Sequence, residues 1–138
     1  MEKRPFSDTS YRSFLNDGRL MGSRCKGCGV RYVPPRPVCT SCFRSDMEWV
    51  EMSGRGRLAA FTCISIAPPF MMAQGYGRSR PYCTGVVELE EGGKVDARIE
   101  GLDPTRPEEI QIGMRLKVKF LHRQAVDPPE TYLAFEPL

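Results

Sequence analysis

Four of the six cysteines in this 138-residue chain fall in two identical spacings: Cys25-Lys26-Gly27-Cys28 and, after ten intervening residues, Cys39-Thr40-Ser41-Cys42. Two residues between cysteines let both thiolates of one turn reach a single ion. Two such turns supply the four ligands of a tetrahedral site with bonds of roughly 2.3 Å. A short hairpin between the turns carries the second pair back onto the first. A site filled by four cysteines keeps no open coordination position, so the ion is expected to hold a fold together rather than to perform a reaction. Zinc is the expected ion, and iron takes the same ligands in a rubredoxin-like site. A disulfide framework fits less well, because the opening Met1-Glu2-Lys3-Arg4-Pro5-Phe6-Ser7-Asp8 holds no apolar run of a secretory signal. A redox Cys-x-x-Cys pair normally occurs once, beside a βαβ pattern, and that pattern is not seen. Gly27 and Gly29 flank the second sulfur of the first turn, where a positive φ is wanted. The second turn has Phe43 at the equivalent of Gly29, at the expense of some strain.

Outside these turns the residues that could do chemistry are few. Cys63 and Cys83 sit in apolar strands and read as small buried hydrophobes rather than nucleophiles. The single histidine, His122, lies near the end of a strand with no thiol or serine partner evident, which suits a surface or barrel-end residue. Gly75-Tyr76-Gly77 alone is weak evidence for a phosphate loop. The segment from Ala67 to Pro81 carries Phe70, Met71, Met72 and Tyr76 without helical or strand period, followed by Arg78 and Arg80. Apolar side chains on such a loop need a cover. Methionines adapt to irregular surfaces, which favours a protein partner or an acyl chain; simple closure of a barrel end is the alternative. Phe70, Met72, Arg78 and Arg80 are therefore the candidate ligand-binding residues, pairing an apolar patch with cations.

Composition narrows the class. At 41% hydrophobic and 27% charged residues the chain is globular, and it contains no run approaching the roughly 20 apolar residues of a membrane span. Without a targeting segment, and with metal-type thiols, a cytoplasmic location is expected. The net charge of +3 does not by itself call for a polyanion. Residues 1–56 have a balance of +4 and residues 57–138 one of −1. Arg19, Arg24, Lys26, Arg31, Arg36 and Arg44 surround the metal turns, either as a solvated surface offsetting a dianionic zinc–tetrathiolate or as an anion site.

The elements that must position these residues are mostly strands. Ser7 or Asp8 caps a helix running to about Asp17, with Gly18 as its stop and Tyr11, Phe14 and Leu15 as one apolar stripe. So short a helix needs a surface to pack on, in the neighbouring domain or in a partner subunit. Leu20 to Val50 forms the ribbon, with a hairpin through Val30–Val33, a stiff Pro34-Pro35-Arg36-Pro37, and Trp49 packing as core between modules. Gly54-Arg55-Gly56 marks a boundary. Five strands follow: Leu58–Ile66, with Leu58, Ala60, Thr62, Ile64 and Ile66 on one face, then Tyr82–Leu89, Lys94–Ile99, Met114–His122 and Thr131–Phe135. The fold class is mainly β: a short N-terminal helical segment at 1–20, a rubredoxin-like four-cysteine zinc ribbon at 21–53, and a five-stranded OB-fold barrel at 54–138.

In this order the modules resemble the zinc-ribbon/OB-fold family, first catalogued as a domain of unknown function, whose members accompany thiolase-like proteins and acyl-CoA enzymes. The resemblance rests on Gly18-Arg19-Leu20, Arg24 to Gly29, Pro34 to Cys39, Glu48-Trp49-Val50 and Ser53 to Gly56. It continues through Pro81-Tyr82, Val86 to Leu89, Arg98 to Asp103 and Ile112-Gly113-Met114, and covers residues 6–138. Phe43 departs from the family's glycine, and the methionine-rich loop looks particular to this chain. The resemblance implies a non-catalytic accessory subunit of a thiolase-fold catalytic subunit that cleaves or forms a C–C bond. It also implies a structural zinc and a coenzyme A thioester as ligand, in a complex such as the aryl-succinyl thiolases of aromatic-acid degradation. The rival class is a nucleic-acid-binding zinc-ribbon/OB module. Such a domain needs a strongly basic barrel with stacking aromatics, and a barrel balance of −1 argues against it.

Overall fold

The computed structural model describes residues 4–123 and 130–138; Met1–Lys3 of the N-terminal stretch read above for targeting, and residues 124–129, lie outside them. Helix α1 (Asp8–Asn16) starts where Ser7, in extended conformation, accepts the Ser10 amide on its side chain, and it stops at Gly18, whose φ of 73° only glycine adopts freely. The expected stripe is buried: Phe14 is fully enclosed, with Tyr11 and Leu15 beside it.

A three-stranded sheet follows, in the order β2-β1-β3, from β1 (Met21–Cys25), β2 (Arg31–Tyr32) and β3 (Met47–Glu51). Trp49 on β3 receives Phe6 and Phe14 against its ring system at 4.8 and 4.9 Å and donates its indole N–H to the Arg4 carbonyl at 3.0 Å. The lone tryptophan thus pins the helix to the ribbon. Buried Ser23 on β1 accepts the Arg36 amide at 2.8 Å and donates to the Arg36 carbonyl at 3.0 Å, which ties the proline-rich segment down.

The remaining strands close a barrel in the order β4-β5-β6-β8-β7: β4 (Arg55–Ile64), β5 (Tyr82–Leu89), β6 (Lys94–Ile99), β7 (Arg115–Arg123) and β8 (Glu130–Pro137). The β6–β8 pair is parallel and the rest antiparallel, the pairing of an OB-fold. One core runs through all parts. Tyr11, Leu15, Leu20, Val33 and Met52 pack with Leu58, Val87, Ile99, Leu116 and Phe135. The helix stripe is therefore used inside this chain.

Two local expectations are corrected. The face read for the first barrel strand changes at a β-bulge between Leu58 and Ala60, where Ala59 is the extra residue. Beyond it Phe61 and Cys63 pack against the core, whereas Ala60 and Thr62 are exposed and Ile66, 75% exposed, lies past the strand. The sequence reads the segment between β4 and β5 as having no period, but it forms one helical turn, α2 (Pro69–Met72), with Pro68 as its cap and Pro69 as its first residue.

Candidate metal centre and binding face

The Sγ atoms of Cys25, Cys28, Cys39 and Cys42 all lie within 4.8 Å of one another. Cys25 and Cys42 approach at 3.5 Å, and Cys28 and Cys39 at 3.4 Å. A tetrahedron of roughly 2.3 Å zinc–sulfur bonds has edges of about 3.8 Å, so the donor set and its spacing fit that ion. The two turns repeat each other. Cys25 draws amides from Gly27 and Cys28, and Cys39 draws those of Ser41 and Cys42. Cys28 draws the Val30 amide, and Cys42 that of Arg44. Gly29 closes its turn on the Cys25 carbonyl at 2.8 Å, and Phe43 closes the other on Cys39 at 2.8 Å. Both have positive φ, 82° and 61° respectively, so Phe43 takes a left-handed conformation with its ring 80% exposed.

One partner of the site came from outside both motifs. The Tyr32 hydroxyl lies 3.4 Å from Cys39 Sγ and accepts the Thr40 amide at 3.1 Å. That hydroxyl is the chief reason the Cys39 thiol falls to about 6, with the Cys42 and Ser41 amides assisting against desolvation. Cys25 is also lowered, chiefly by the Cys28 amide. In Cys42 the Arg44 amide pulls downward, but desolvation and neighbouring thiols together raise it to about 11.

The ribbon cations are largely engaged within the chain. Arg24 pairs with Glu48 at 2.8 Å, Arg19 with Glu51 at 3.1 Å and Lys26 with Asp46 at 3.8 Å. Arg44 packs against Gly27 so closely that a Cβ there would sit 2.4 Å from its guanidinium. Arg36 stacks over the Tyr32 ring at 5.7 Å.

The barrel presents a different surface. An open cavity of about 450 Å³ is lined by α1 (Tyr11), the ribbon (Pro34), the α2 segment (Phe70, Met71, Gln74) and residues of β5, β6 and β8. Of the candidate ligand residues, Phe70 lines this cavity, and both Phe70 and Met72 are 62% exposed. Met71, between them, turns inward and is buried. Arg80 stacks over Tyr76 at 4.3 Å, and Tyr76 meets Tyr82 edge-on at 5.3 Å. Arg78 is exposed and makes no hydrogen bond or ion pair among the described residues. Arg98, named above only for the family resemblance and not among the candidate ligand residues, reaches under the same segment, 5.1 Å from the Tyr76 ring, with Glu100 3.6 Å away. His122 lies on the barrel surface, its Nδ1 2.8 Å from Thr131 Oγ1.

The fold and site define a two-module protein, a four-cysteine ribbon joined to an OB-fold barrel. Residues 12–48 match the family described as ChsH2, rubredoxin-like zinc ribbon domain, and residues 49–121 match ChsH2, C-terminal OB-fold domain. The chain belongs to this ChsH2-type, DUF35 family. It is 32% identical over 112 residues to a DUF35 domain-containing scaffold protein of Methanocaldococcus jannaschii, covering 80% of this chain and 74% of that one. It is 35% identical over 88 residues to the benzoylsuccinyl-CoA thiolase subunit BbsA of Thauera aromatica, covering 62% of this chain and 56% of the subunit. A solved structure, the Ltp2-ChsH2(DUF35) aldolase, superposes with a TM-score of 0.76 at 26% identity over 99% of this chain and 98% of the other. Among the described residues no helix is long and apolar enough to cross a membrane.

Proposed function

We propose that the chain is a non-catalytic accessory subunit of a thiolase-fold acyl-CoA enzyme, and that it helps to bind or orient the coenzyme A thioester and stabilises the complex. The observation that carries this reading is the exposed pair Phe70 and Met72 on a single helical turn, with Phe70 at the rim of a largely apolar cavity and Arg78 and Arg80 a short distance along the chain. Coenzyme A thioesters have phosphates at one end and an acyl group at the other, so cations beside an apolar patch answer both. Relatives described as a thiolase subunit and an aldolase partner support a thiolase-fold catalytic chain, with an aryl-succinyl type of acyl group suiting the aromatic rim. Zinc at Cys25, Cys28, Cys39 and Cys42 would supply folding energy, and the four thiolates would leave it no position for substrate. The complex would work in the cytoplasm.

The test is steady-state kinetics of the complex reconstituted with its thiolase-fold subunit, with pull-down as the control for assembly. Phe70→Ala or Met72→Ala should weaken assembly or acyl recognition. Arg78→Ala or Arg80→Ala should raise KM for the thioester from a few-fold to about a hundredfold, the loss of a charge-assisted bond of about 1–3 kcal/mol. If all four variants assemble and turn over like the wild type, the segment serves only to close the barrel.

A further inference from the structure

Cys63 on β4 and Cys83 on β5 read in the sequence as small buried hydrophobes, and the register sets them directly opposite each other in an antiparallel ladder. Their sulfurs lie 2.8 Å apart and both are free thiols. Opposed residues in such a ladder have Cα atoms about 4.5–5.5 Å apart, within the roughly 4.4–6.8 Å that a disulfide spans. The next rung, Ile64 with Tyr82, is the last before the chain leaves for the 65–81 segment, so the pair lies at the base of the loop carrying Phe70, Met72, Arg78 and Arg80. The remaining four cysteines are committed to the metal turns.

We propose that Cys63 and Cys83 form a reversible thiol–disulfide site, oxidised by a low-molecular-weight disulfide such as oxidised glutathione, that clamps the base of the 65–81 segment. Access decides the order of events. Cys63 is half-buried and Cys83 is 2% exposed, lining with Tyr76 and Arg80 a cavity of about 180 Å³. The Cys63 thiolate attacks the external disulfide, forming a mixed disulfide and expelling one thiolate. Cys83 then loses its proton to solvent and attacks the Cys63 sulfur, expelling the second. The protein gives up two electrons and two protons, and the external disulfide becomes two thiols. Burial and the adjacent Cys63 hold the Cys83 thiol at about 12, consistent with its acting second, when the partner sulfur is already in contact.

The experiment uses the zinc-loaded full chain equilibrated in glutathione buffers of increasing oxidised fraction, quenched with N-ethylmaleimide and read by intact mass and peptide mapping. The expected product has lost two alkylatable thiols, links the peptides of Cys63 and Cys83, and retains its zinc. Closing 19 intervening residues should raise Tm by about 5–10 °C. Trypsin cleavage after Arg78 should slow. Cys83→Ser should instead retain a stable glutathione adduct on Cys63, without the Tm rise. A pair still fully alkylated at the most oxidising ratio overturns the proposal, as does linkage through ribbon cysteines. A linked pair with unchanged Tm and unchanged cleavage overturns the clamp.

Discussion

Replacing Tyr32 by phenylalanine removes a single hydroxyl and leaves the ring over which Arg36 lies. The Thr40 amide that loses its acceptor is exposed and can turn to water, so the consequence centres on Cys39. In the wild type the Cys39 thiol is lowered from 9.0 to about 6 with the Tyr32 hydroxyl as the largest cause. At pH 7 it is already ionised before metal arrives. Without the hydroxyl its value moves back up, and at the limit of full recovery zinc must displace a proton that the wild type has already lost. That limit corresponds to a roughly 100-fold weaker apparent affinity at pH 7 and about tenfold at pH 8, with little difference above 9. The Ser41 and Cys42 amides retain part of the depression, so the measured loss should lie between about tenfold and this limit, the range for outer partners of metal ligands. The assay is competition for zinc against a chromophoric chelator between pH 6.5 and 9. A wild-type to variant ratio that stays flat across that range, or below about twofold at pH 7, refutes the argument.

Three further outcomes are expected. Cys28→Ser or Cys42→Ser should release one zinc per chain and unfold the ribbon, read by metal analysis and circular dichroism, because binding and folding are one free energy in such sites. Tyr11, raised from 10.0 to about 12 by burial and then by Asp8, favours its protonated form in the fold; its contribution is complete below pH 10 and disappears as pH rises to about 12. Denaturant titration should show a loss on the order of 2–3 kcal/mol over that window that is absent in Tyr11→Phe. Phe43→Gly should keep the zinc and gain up to about 1 kcal/mol in the same assay, since a left-handed residue with an exposed ring gives way to glycine.

Legibility in the sequence followed the range of the forces involved. The helix, with a cap at Ser7 or Asp8 and its stop at Gly18, and the strands Tyr82–Leu89 and Lys94–Ile99 are local patterns; the two strands were readable to the residue and the helix to within one. The bulge at Ala59 was not, because nothing in the alternation of Leu58 to Ile66 marks the extra residue; it shows only when β5 is laid alongside. The four sulfurs were legible from spacing, but Tyr32 was not, since a hydroxyl seven residues before its cysteine carries no motif. The ribbon arginines read either as a solvated surface or as an anion site, because Glu48 and Glu51 are distant in sequence from Arg24 and Arg19 and become partners only through the β1–β3 register. The cavity required all parts at once, as Tyr11, Pro34, Phe70 and Arg98 come from four segments.

The need for a metal in a chain that already has a barrel core follows from how little apolar material the ribbon owns. Its separate cluster contains only three buried residues, Cys25, Cys39 and Met47, and two of these are ligands. With both thiolates committed to an ion, one methionine is left as the buried centre, too little to offset the entropy of ordering the turns. The ribbon is nevertheless not free of the barrel. Val33, directly after β2, enters the main core, and the next residue, Pro34, forms part of the cavity wall. The β1 strand that ends in the ligand Cys25 also has Ser23, whose hydroxyl fixes Arg36 two residues beyond that wall. Order imposed at the sulfurs would therefore reach, through β1 and β2, the surface where α1, the ribbon and the barrel meet. In this way an ion whose four positions are filled by thiolates would still shape the face that the proposed thioester would meet.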